Sequence, residues 1–514
     1  MPDDALGKPN IIVILVDDMG YSDIGCFGSE IRTPNLDSLA AGRLRFSQMY
    51  NAARCCPSRA ALLTGLNPHQ AGVGHMVADL GVPEYQGYLK ENAVTIAEAL
   101  KADGYSTFMS RQVWVTWAAT TLAADDLVDS SRSHVSNSDT ARCSTYRYVG
   151  ILTGAGNFYP TSQDLMDQDT LVPLTDLDEF YLTDAISDNA VSMIGEAVSQ
   201  GPNPVLRIFA WPLYAAQIDR MDQGVGRILE ALRSGGVVDN TLIMFLSDNG
   251  GCAEFLAEDG SMPQPARYGG INPDGTPVVV GNIPGLRPGG PQTFMSYDLP
   301  WANASNTPFR RFKRWTHEGG ISTPLIMSWP TRIQESGIVH SPVHLIDIMP
   351  TCLDAAGASH PTERAGQQTI PLEGESMLST VNRGDWERES PIIWEHEGSR
   401  AVRQGQWKLV SAIGGGWELY NMERDRTELD DLYARNRSKA QELERIYQEW
   451  ATAAACCRGP SSARTGTRGC AARASIFQAN ALYCAPEPSF QRRLEPGDET
   501  REPDTRSLTP TIKH

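Results

Sequence analysis

The sequence predicts an α/β fold, with a large domain built on a mostly parallel sheet and a small domain that combines an antiparallel sheet with one helix. Two observations predict the large domain. Short apolar runs rich in β-branched residues are typical of buried parallel strands, and they alternate with stretches at helical spacing. A third observation, the change after about residue 380 to closely spaced strand-like runs, predicts the small domain.

Polar side chains follow two of the predicted strands. The first strand is Asn10 to Val16, and a run of the same design covers Thr241 to Leu246. The oxygen-bearing residues directly after them are Asp17, Asp18, Asp248 and Asn249. In doubly wound sheets, ligands collect at the carboxyl ends of the strands. Because oxygen donors suit hard cations, these residues predict a calcium or magnesium site rather than a zinc or copper site.

Helices are predicted between these strands from caps and from periodicity. Thr95 and Glu98 form a capping box, and Gly104 is expected to close that helix. A second helix is predicted from Tyr214 to Arg233, where apolar residues recur at helical spacing and Gly235 follows. This alternation of strands and helices supports an α/β domain.

A cysteine is expected at the start of another helix, in the stretch Cys55-Cys56-Pro57-Ser58-Arg59-Ala60-Ala61-Leu62-Leu63-Thr64-Gly65. Pro57 suits a first helical turn and Gly65 suits a helix end. Cys55 would then lie at a helix N-terminus, where backbone N–H groups favour an anion. Arg59 lies one turn along, on the same face. The combination predicts a site for an anionic substrate.

The C-terminal part predicts four short strands and a closing helix. The strands are Pro391 to His396, Arg400 to Arg403, Gln406 to Val410 and Trp417 to Tyr420, with a tight turn at Gln404-Gly405 and a helix from Ser438 to Trp450. The predicted domains are residues 1–380 and 381–455. Residues 456–514 are rich in Arg, Pro, Ser and Thr, and they are predicted to be a disordered tail.

Composition limits the classes of partner. The formal net charge of −18 over 514 residues argues against nucleic acid or an anionic membrane as the main partner. No stretch is long and apolar enough to span a bilayer, and Met1 to Pro9 lacks the apolar core of a secretion signal. The default expectation is a cytoplasmic protein, or a periplasmic or secreted one if an upstream signal precedes this sequence.

The pattern Cys55-x-Pro57-Ser58-Arg59-x-x-x-x-Thr64-Gly65 resembles that of the type I sulfatases, within the alkaline phosphatase superfamily. The resemblance covers Asn10 to about Trp450, and segments such as Trp394-Glu395-His396-Glu397-Gly398 are most similar to bacterial arylsulfatases. It implies a large mixed, mostly parallel sheet sandwiched by helices. It also implies that a formylglycine-generating maturation enzyme oxidises Cys55 to formylglycine, whose hydrate attacks the sulfur of a sulfate ester.

The resemblance assigns further roles residue by residue. Cys55, Arg59 and Lys313 would be catalytic: Arg59 would stabilise the formylglycine, and Lys313, five residues before Glu318-Gly319-Gly320, would bind the sulfate. One divalent cation, Ca²⁺ in preference to Mg²⁺, would be held by Asp17, Asp18, Cys55 (as formylglycine), Asp248 and Asn249. The resemblance thus implies an enzyme that hydrolyses a sulfate ester to an alcohol or phenol and inorganic sulfate.

The sequence departs from the family pattern in two places. After Gly104 to Ser110 the family continues Gly-Lys-Trp-His, and its lysine and histidine serve the active site; here Gln112 and Trp114 stand at those positions. After Ala210 the family has a segment with another histidine, whereas here the chain continues almost directly into the Tyr214 helix. A general acid typically contributes about a hundredfold or more to the rate, so impaired turnover is expected.

Three alternatives remain open from the sequence. One is a phosphoester or phosphonate monoester hydrolase of the same superfamily, because one cradle can hold either anion. Another is a catalytically inactive homologue that still binds a metal or an anion. A reading-frame or gene-model fault would also explain both departures and the unusual tail, because the family pattern is lost abruptly from Ser110 to Thr145 and then regained.

Overall fold

The computed structural model describes most of the chain, with several gaps. The described residues are 7–112, 147–151, 159, 165–167, 170–171, 180–199, 204–212, 215–260, 269–272, 274–379 and 386–454. The predicted tail, the proposed boundary near residue 380 and Trp114 lie outside them, so the domain limits stay predictions. Within the described ranges, no helix is both long and apolar enough to cross a bilayer.

Nineteen strands occur in the described residues. In chain order they are β1 (Asn10–Asp17), β2 (Leu44–Tyr50), β3 (Ser106–Gln112), β4 (Arg147–Ile151), β5 (Leu165–Asp167), β6 (Thr170–Leu171), β7 (Val205–Pro212), β8 (Thr241–Ser247), β9 (Val279–Val280), β10 (Thr293–Phe294), β11 (Ser322–Ser328), β12 (Gly337–Val339), β13 (Val343–His344), β14 (Glu363–Arg364), β15 (Gln367–Gln368), β16 (Ile392–His396), β17 (Ser399–Gln404), β18 (Trp407–Ser411) and β19 (Glu418–Asn421).

The α-helices of the described residues lie between these strands and after them. In chain order they are α1 (Pro34–Ala40), α2 (Cys55–Thr64), α3 (Pro68–Ala71), α4 (Ile96–Ala102), α5 (Leu182–Ser199), α6 (Ala215–Ser234), α7 (Asp298–Ser305), α8 (Glu318–Ile321), α9 (Ile348–Ala356) and α10 (Arg437–Ala453). The capping box of Thr95 and Glu98 precedes α4 as predicted. The predicted Tyr214 helix is α6, and the predicted closing helix is α10.

The central sheet is mixed and mostly parallel, as the sequence and the resemblance predict. Its main path runs β12-β2-β11-β8-β1-β7-β3-β4-β5-β6, and β13 pairs with β2. The five neighbours β8, β1, β7, β3 and β4 are mutually parallel, whereas β11 is antiparallel to both β2 and β8. Strand β1 therefore lies in the parallel centre, between β7 and β8.

Both faces of this sheet are buried under helices. Alternate residues of β1 divide between the two cores: Ile11, Val13 and Leu15 join one, and Ile12, Ile14 and Val16 join the other. The first core includes residues of α2, α4 and α9, and the second includes residues of α1, α5 and α6. Burial on both faces explains why the central residues of β1, 11–16, and of β8, 242–246, are all apolar rather than alternating with polar residues.

The C-terminal sheet is antiparallel in the order β16-β17-β18-β19, which confirms the predicted architecture. Gln404 pairs with Trp407, so the turn lies at residues 405–406, one position later than predicted. One face of this sheet packs against α10 through Val402, Leu409 and Leu443. The other face contacts the large domain, where Trp394 packs with Tyr50 and Ile321.

A buried ionic network joins the two sheets. The Nζ atom of Lys408 lies 2.8 Å from a carboxylate oxygen of Glu318 and 2.8 Å from one of Glu428, and all three side chains are fully buried. Arg426 donates to Glu318 at 3.1 Å, and the Tyr50 hydroxyl donates to the same carboxylate at 3.0 Å. Because Lys408 lies on β18 and Glu318 begins α8, the network fixes α8 against the C-terminal sheet.

Replacing Lys408 by methionine should remove the shared cation and keep most of the packing volume. The carboxylates of Glu318 and Glu428 would then be buried with less compensation, so the free energy of unfolding should fall by about 3–5 kcal/mol. Urea denaturation measures this. The control is Arg445→Ala, which breaks an ion pair that is 62% exposed on each side and should change stability by less than about 0.5 kcal/mol. Equal effects for the two variants would contradict a structural role for the network.

Candidate active site

Helix α2 places Cys55 at its first position, as the sequence predicts. Arg54 before it is extended, with φ −151° and ψ 149°, and Gly65 closes the helix in the left-handed conformation at φ 65°. Cys55 is only 1% exposed. A hydrogen bond with the Cys56 thiol lowers the pKa of Cys55; burial opposes this effect, and the positive charge of Lys313 adds to it.

Three carboxylates meet at the carboxyl ends of β1 and β8, which confirms the predicted placement. One oxygen from each of Asp17, Asp18 and Asp248 lies within 4.8 Å of the others. Asp18 adopts a positive φ of 64°, and its backbone N–H donates to Asp248 at 3.3 Å. The Asn249 side-chain amide donates to Asp18 at 2.7 Å. The chain therefore turns sharply after β1 and directs its second carboxylate toward the end of β8.

Two buried cations hold these carboxylates. The Nη2 atom of Arg59 lies 3.1 Å from Asp248 and 3.6 Å from Asp17, and its Nε–H donates to the same Asp248 oxygen at 3.1 Å. The Nζ of Lys313 lies 2.6 Å from Asp18. Burial acts to lower the pKa of Lys313, but the negative groups around it, led by the Asp18 carboxylate, together outweigh burial and hold the pKa well above its usual value.

The carboxylate edge fits a divalent cation. Burial, followed by the charges of Asp248 and Asp18, raises the pKa of Asp17 well above its usual value, and burial raises the pKa of Asp248 to about 6 despite Arg59. The Oδ1 atoms of Asp17 and Asn249 are buried with no hydrogen-bond partner among the described residues. Buried oxygens without partners are costly. A bound cation would satisfy them and offset the repulsion between the carboxylates.

Close backbone approaches position Lys313 beside the carboxylates. The Lys313 backbone N–H donates to Gly251 at 3.0 Å, and the Gly250 N–H donates to Gly320 at 3.0 Å. A Cβ on Gly250 would lie 1.9 Å from the Gly319 carbonyl oxygen, and a Cβ on Gly319 would lie 2.1 Å from the Arg311 carbonyl oxygen. Only glycine fits at these contacts, which explains physically why glycines follow Asn249 and Glu318.

The structure also shows site residues that the sequence analysis missed. Arg54 pairs with Glu254 at 2.6 Å, directly before the Cys55 helix. The Tyr297 hydroxyl accepts from the Cys252 backbone N–H at 2.7 Å and donates to the Asp18 carbonyl oxygen at 3.4 Å. No motif marks these residues. Arg54 could nevertheless have been proposed as a site residue, because it is a cation directly before the helix at which an anion site is predicted.

The two departures from the family pattern lie at the ends of neighbouring parallel strands. Gln112 is the last residue of β3, where it pairs with Ile151 of β4. Strand β7 runs to Pro212, and α6 begins at Ala215, so the chain lacks the long segment that the family has after this strand, as the sequence indicates. Trp114 and His134 lie outside the described residues. Among the predicted site residues, the structure therefore assembles Asp17, Asp18, Cys55, Arg59, Asp248, Asn249 and Lys313 into one region.

Comparisons with known proteins agree with this arrangement. A family model described as sulfatase matches residues 9–206 and 210–358, and a second, described as N-sulphoglucosamine sulphohydrolase, C-terminal, matches residues 309–451. The chain is 26% identical to an arylsulfatase of Klebsiella aerogenes, over 72% of this chain and 91% of the relative. It is also 26% identical to human arylsulfatase A, over 78% of this chain and 74% of the relative.

Solved structures show the same fold. The crystal structure of Ps i-CgsB superposes with a TM-score of 0.64 at 24% identity, covering 86% of this chain and 93% of that one. The PsFucS1 sulfatase from Pseudoalteromonas sp. gives a TM-score of 0.59 at 19% identity, with coverage of 87% and 90%. The sulfatase family model alone matches well over half of this chain, so the chain belongs to the sulfatase family.

Proposed function

We propose that this sulfatase hydrolyses sulfate esters, with aryl sulfates as the first class to test, through a formylglycine made from Cys55. One observation carries the proposal: Cys55 begins a helix within electrostatic reach of Asp17 and Lys313 and of Arg59, at the edge where three carboxylates meet. In the net reaction, water adds to sulfur and the bond between sulfur and the organic oxygen breaks. The products are an alcohol or phenol and inorganic sulfate.

Cys55 has to be converted before the site can work as proposed. A hydrated formylglycine would supply one hydroxyl group to attack sulfur and a second whose deprotonation allows sulfate to leave. Because Cys55 is only 1% exposed, a formylglycine-generating enzyme would have to reach it before α2 packs. The maturation enzyme is thus a proposed partner of the newly made chain.

Asp17, Asp18, Asp248 and Asn249 would hold the cation, and we propose Ca²⁺ in preference to Mg²⁺. Calcium tolerates irregular oxygen shells, whereas magnesium demands near-ideal octahedral geometry. When bound, the cation would polarise sulfate oxygens and make the nucleophile easier to ionise. The unpartnered Oδ1 atoms of Asp17 and Asn249 support this assignment.

Arg59 and Lys313 would provide the positive charge that an anionic substrate needs in a chain of net charge −18. Arg59 is 1% exposed and braced by two carboxylates, so it would orient the residue-55 side chain rather than move. Lys313 lies at the rim of the same cluster, at 8% exposure. Its Nζ contacts Asp18 and would turn toward a sulfate oxygen. A positive charge placed against the negative charge that develops in the transition state contributes about a hundredfold to rate.

A specific observation favours a second candidate, a homologue that binds an anion or a metal without turnover. Gln112, the last residue of β3, stands where the family pattern has a lysine, and β7 leads into α6 without the histidine-bearing segment. A glutamine side chain is uncharged and cannot act as a general acid.

A good leaving group such as a nitrophenolate needs little protonation. A nitrophenyl sulfate should therefore be hydrolysed even if alkyl sulfates are not.

The test is hydrolysis of 4-nitrophenyl sulfate by protein co-expressed with a formylglycine-generating enzyme, in the presence of calcium. Mass spectrometry of the peptide that contains residue 55 confirms conversion. We expect turnover, with a preference over 4-nitrophenyl phosphate. Faster cleavage of the phosphate would instead support the phosphoester hydrolase. Full conversion without cleavage of either ester would support the inactive homologue.

A further inference from the structure

We propose that His75, His396 and Glu397 form a second metal site, separate from the carboxylate edge, which binds Zn²⁺. One ligand atom from each residue lies within 4.8 Å of the other two. His75 follows α3 in the large domain, whereas His396 and Glu397 lie at the end of β16 in the C-terminal sheet. The site would therefore join two parts of the chain more than three hundred residues apart.

The distances fit a single ion. The Oε1 atom of Glu397 lies 3.4 Å from Nδ1 of His75 and 3.8 Å from Nε2 of His396. Ligand atoms on a tetrahedral zinc, with bonds of about 2.0–2.2 Å, stand about 3.3–3.6 Å apart. Small side-chain rotations would bring all three atoms into the coordination shell, so the backbone already has the required shape.

His396 gives independent support. Its side chain is fully buried, and neither ring nitrogen has a hydrogen-bond partner among the described residues. A buried imidazole with both nitrogens unsatisfied is costly, because each has lost its hydrogen bond to water. Histidine is also the commonest metal ligand in proteins. A metal bound to one nitrogen would compensate for part of this loss.

The surrounding charges are compatible with a divalent ion. Arg314 pairs through Nε with Oε2 of Glu397, which leaves Oε1 for the histidines. Arg54, whose positive charge also acts on Glu397, is already paired with Glu254. Hydrogen bonds to a ligating carboxylate are the usual support for a metal site. Two imidazoles and one carboxylate select zinc over calcium, whose ligands are oxygens.

The consequence would be structural. Glu397 orients Arg314, which follows Lys313 in the chain, and the Arg314 backbone N–H donates to Ala53, two residues before Cys55. A metal bound to Glu397 would thus hold Arg314, and through it the backbone next to Lys313 and the backbone just before Cys55. All three ligands are buried, which is typical of a site that stabilises a fold.

The experiment measures metal content rather than activity, so it does not depend on the proposed function. Tag-free protein is stripped with a chelator, incubated with zinc chloride, dialysed and analysed by inductively coupled plasma mass spectrometry. We expect one zinc per chain in the wild-type protein and in Asp17→Asn. We expect at least a tenfold loss in His75→Gln and in His396→Gln, while His340→Gln, at an exposed histidine, should keep the metal.

Cobalt substitution tests the site without relying on variants that fold poorly. Co²⁺ added to the stripped wild-type protein should give the intense visible absorption of a four- or five-coordinate ion, and zinc should abolish it. Wild-type protein that retains no zinc and shows no such spectrum would overturn the proposal. Zinc retained equally by His396→Gln would overturn it as well.

Discussion

Replacing Cys55 by alanine should lower kcat/KM for 4-nitrophenyl sulfate by about a thousandfold or more. The proposed aldehyde forms at the Cβ atom of residue 55 with loss of the thiol sulfur, and alanine carries no sulfur at Cβ through which a maturation enzyme could oxidise this carbon. The side chain is small and buried, so the loss of stability should be modest and the fold retained. Initial rates and thermal unfolding of the same preparation separate the two effects.

Cys56 offers a matched control, because it is also a cysteine, it is fully buried and it is adjacent in the chain. Cys56→Ala should still be converted at residue 55 and should keep activity within about tenfold, since its thiol only donates a hydrogen bond to Cys55. If activity survives in Cys55→Ala but disappears in Cys56→Ala, the assignment of the nucleophile to Cys55 is wrong and Cys56 carries it.

The parts of this site that could be predicted are those with a local signature. Asp17 and Asp248 each follow an uninterrupted apolar strand, and the edge at which parallel strands end is fixed by sheet geometry. Cys55 could be placed at a helix start because Pro57 and Gly65 mark the two ends of that helix. These signals depend on the backbone of a few neighbouring residues, which explains why they survive without tertiary information.

The parts that could not be predicted depend on contacts between distant segments. Glu254 meets Arg54, and Glu397 meets His75, across two hundred and more than three hundred residues respectively. Neither pair has a motif, and a lone glutamate in a sequence reads as surface charge. The turn after Gln404 was misplaced by one residue for a related reason, because the strand register is set by packing on α10 and the large domain.

Removing the cation from the carboxylate edge should destabilise the protein most strongly near neutral pH. Asp17 and Asp248 have higher pKa values in the folded state than usual, and Asp248 reaches about 6. A carboxyl with a raised pKa contributes its stability fully below pH 4 and loses it as the pH rises through 6. For Asp248 alone the loss is about 3 kcal/mol, from a shift of roughly two pH units.

Calcium should reverse this loss. At a concentration one hundred times its dissociation constant, a cation that binds only the folded state adds about 2.7 kcal/mol to the free energy of unfolding. The effect should be large at pH 7 and small at pH 4, where protonated carboxyls no longer attract the ion. Urea denaturation of chelator-treated protein, with and without calcium at both pH values, measures it.

Asp17→Asn separates charge repulsion from cation binding. The metal-free variant should be more stable than the metal-free wild type at pH 7, because one of three crowded carboxylates has lost its charge, and calcium should stabilise it little. Asp239→Asn, at an exposed residue just before β8, should match the wild type. If metal-free Asp17→Asn is less stable than the metal-free wild type and calcium stabilises neither protein, Arg59 and Lys313 alone would balance the carboxylates, and the cation assignment would be wrong.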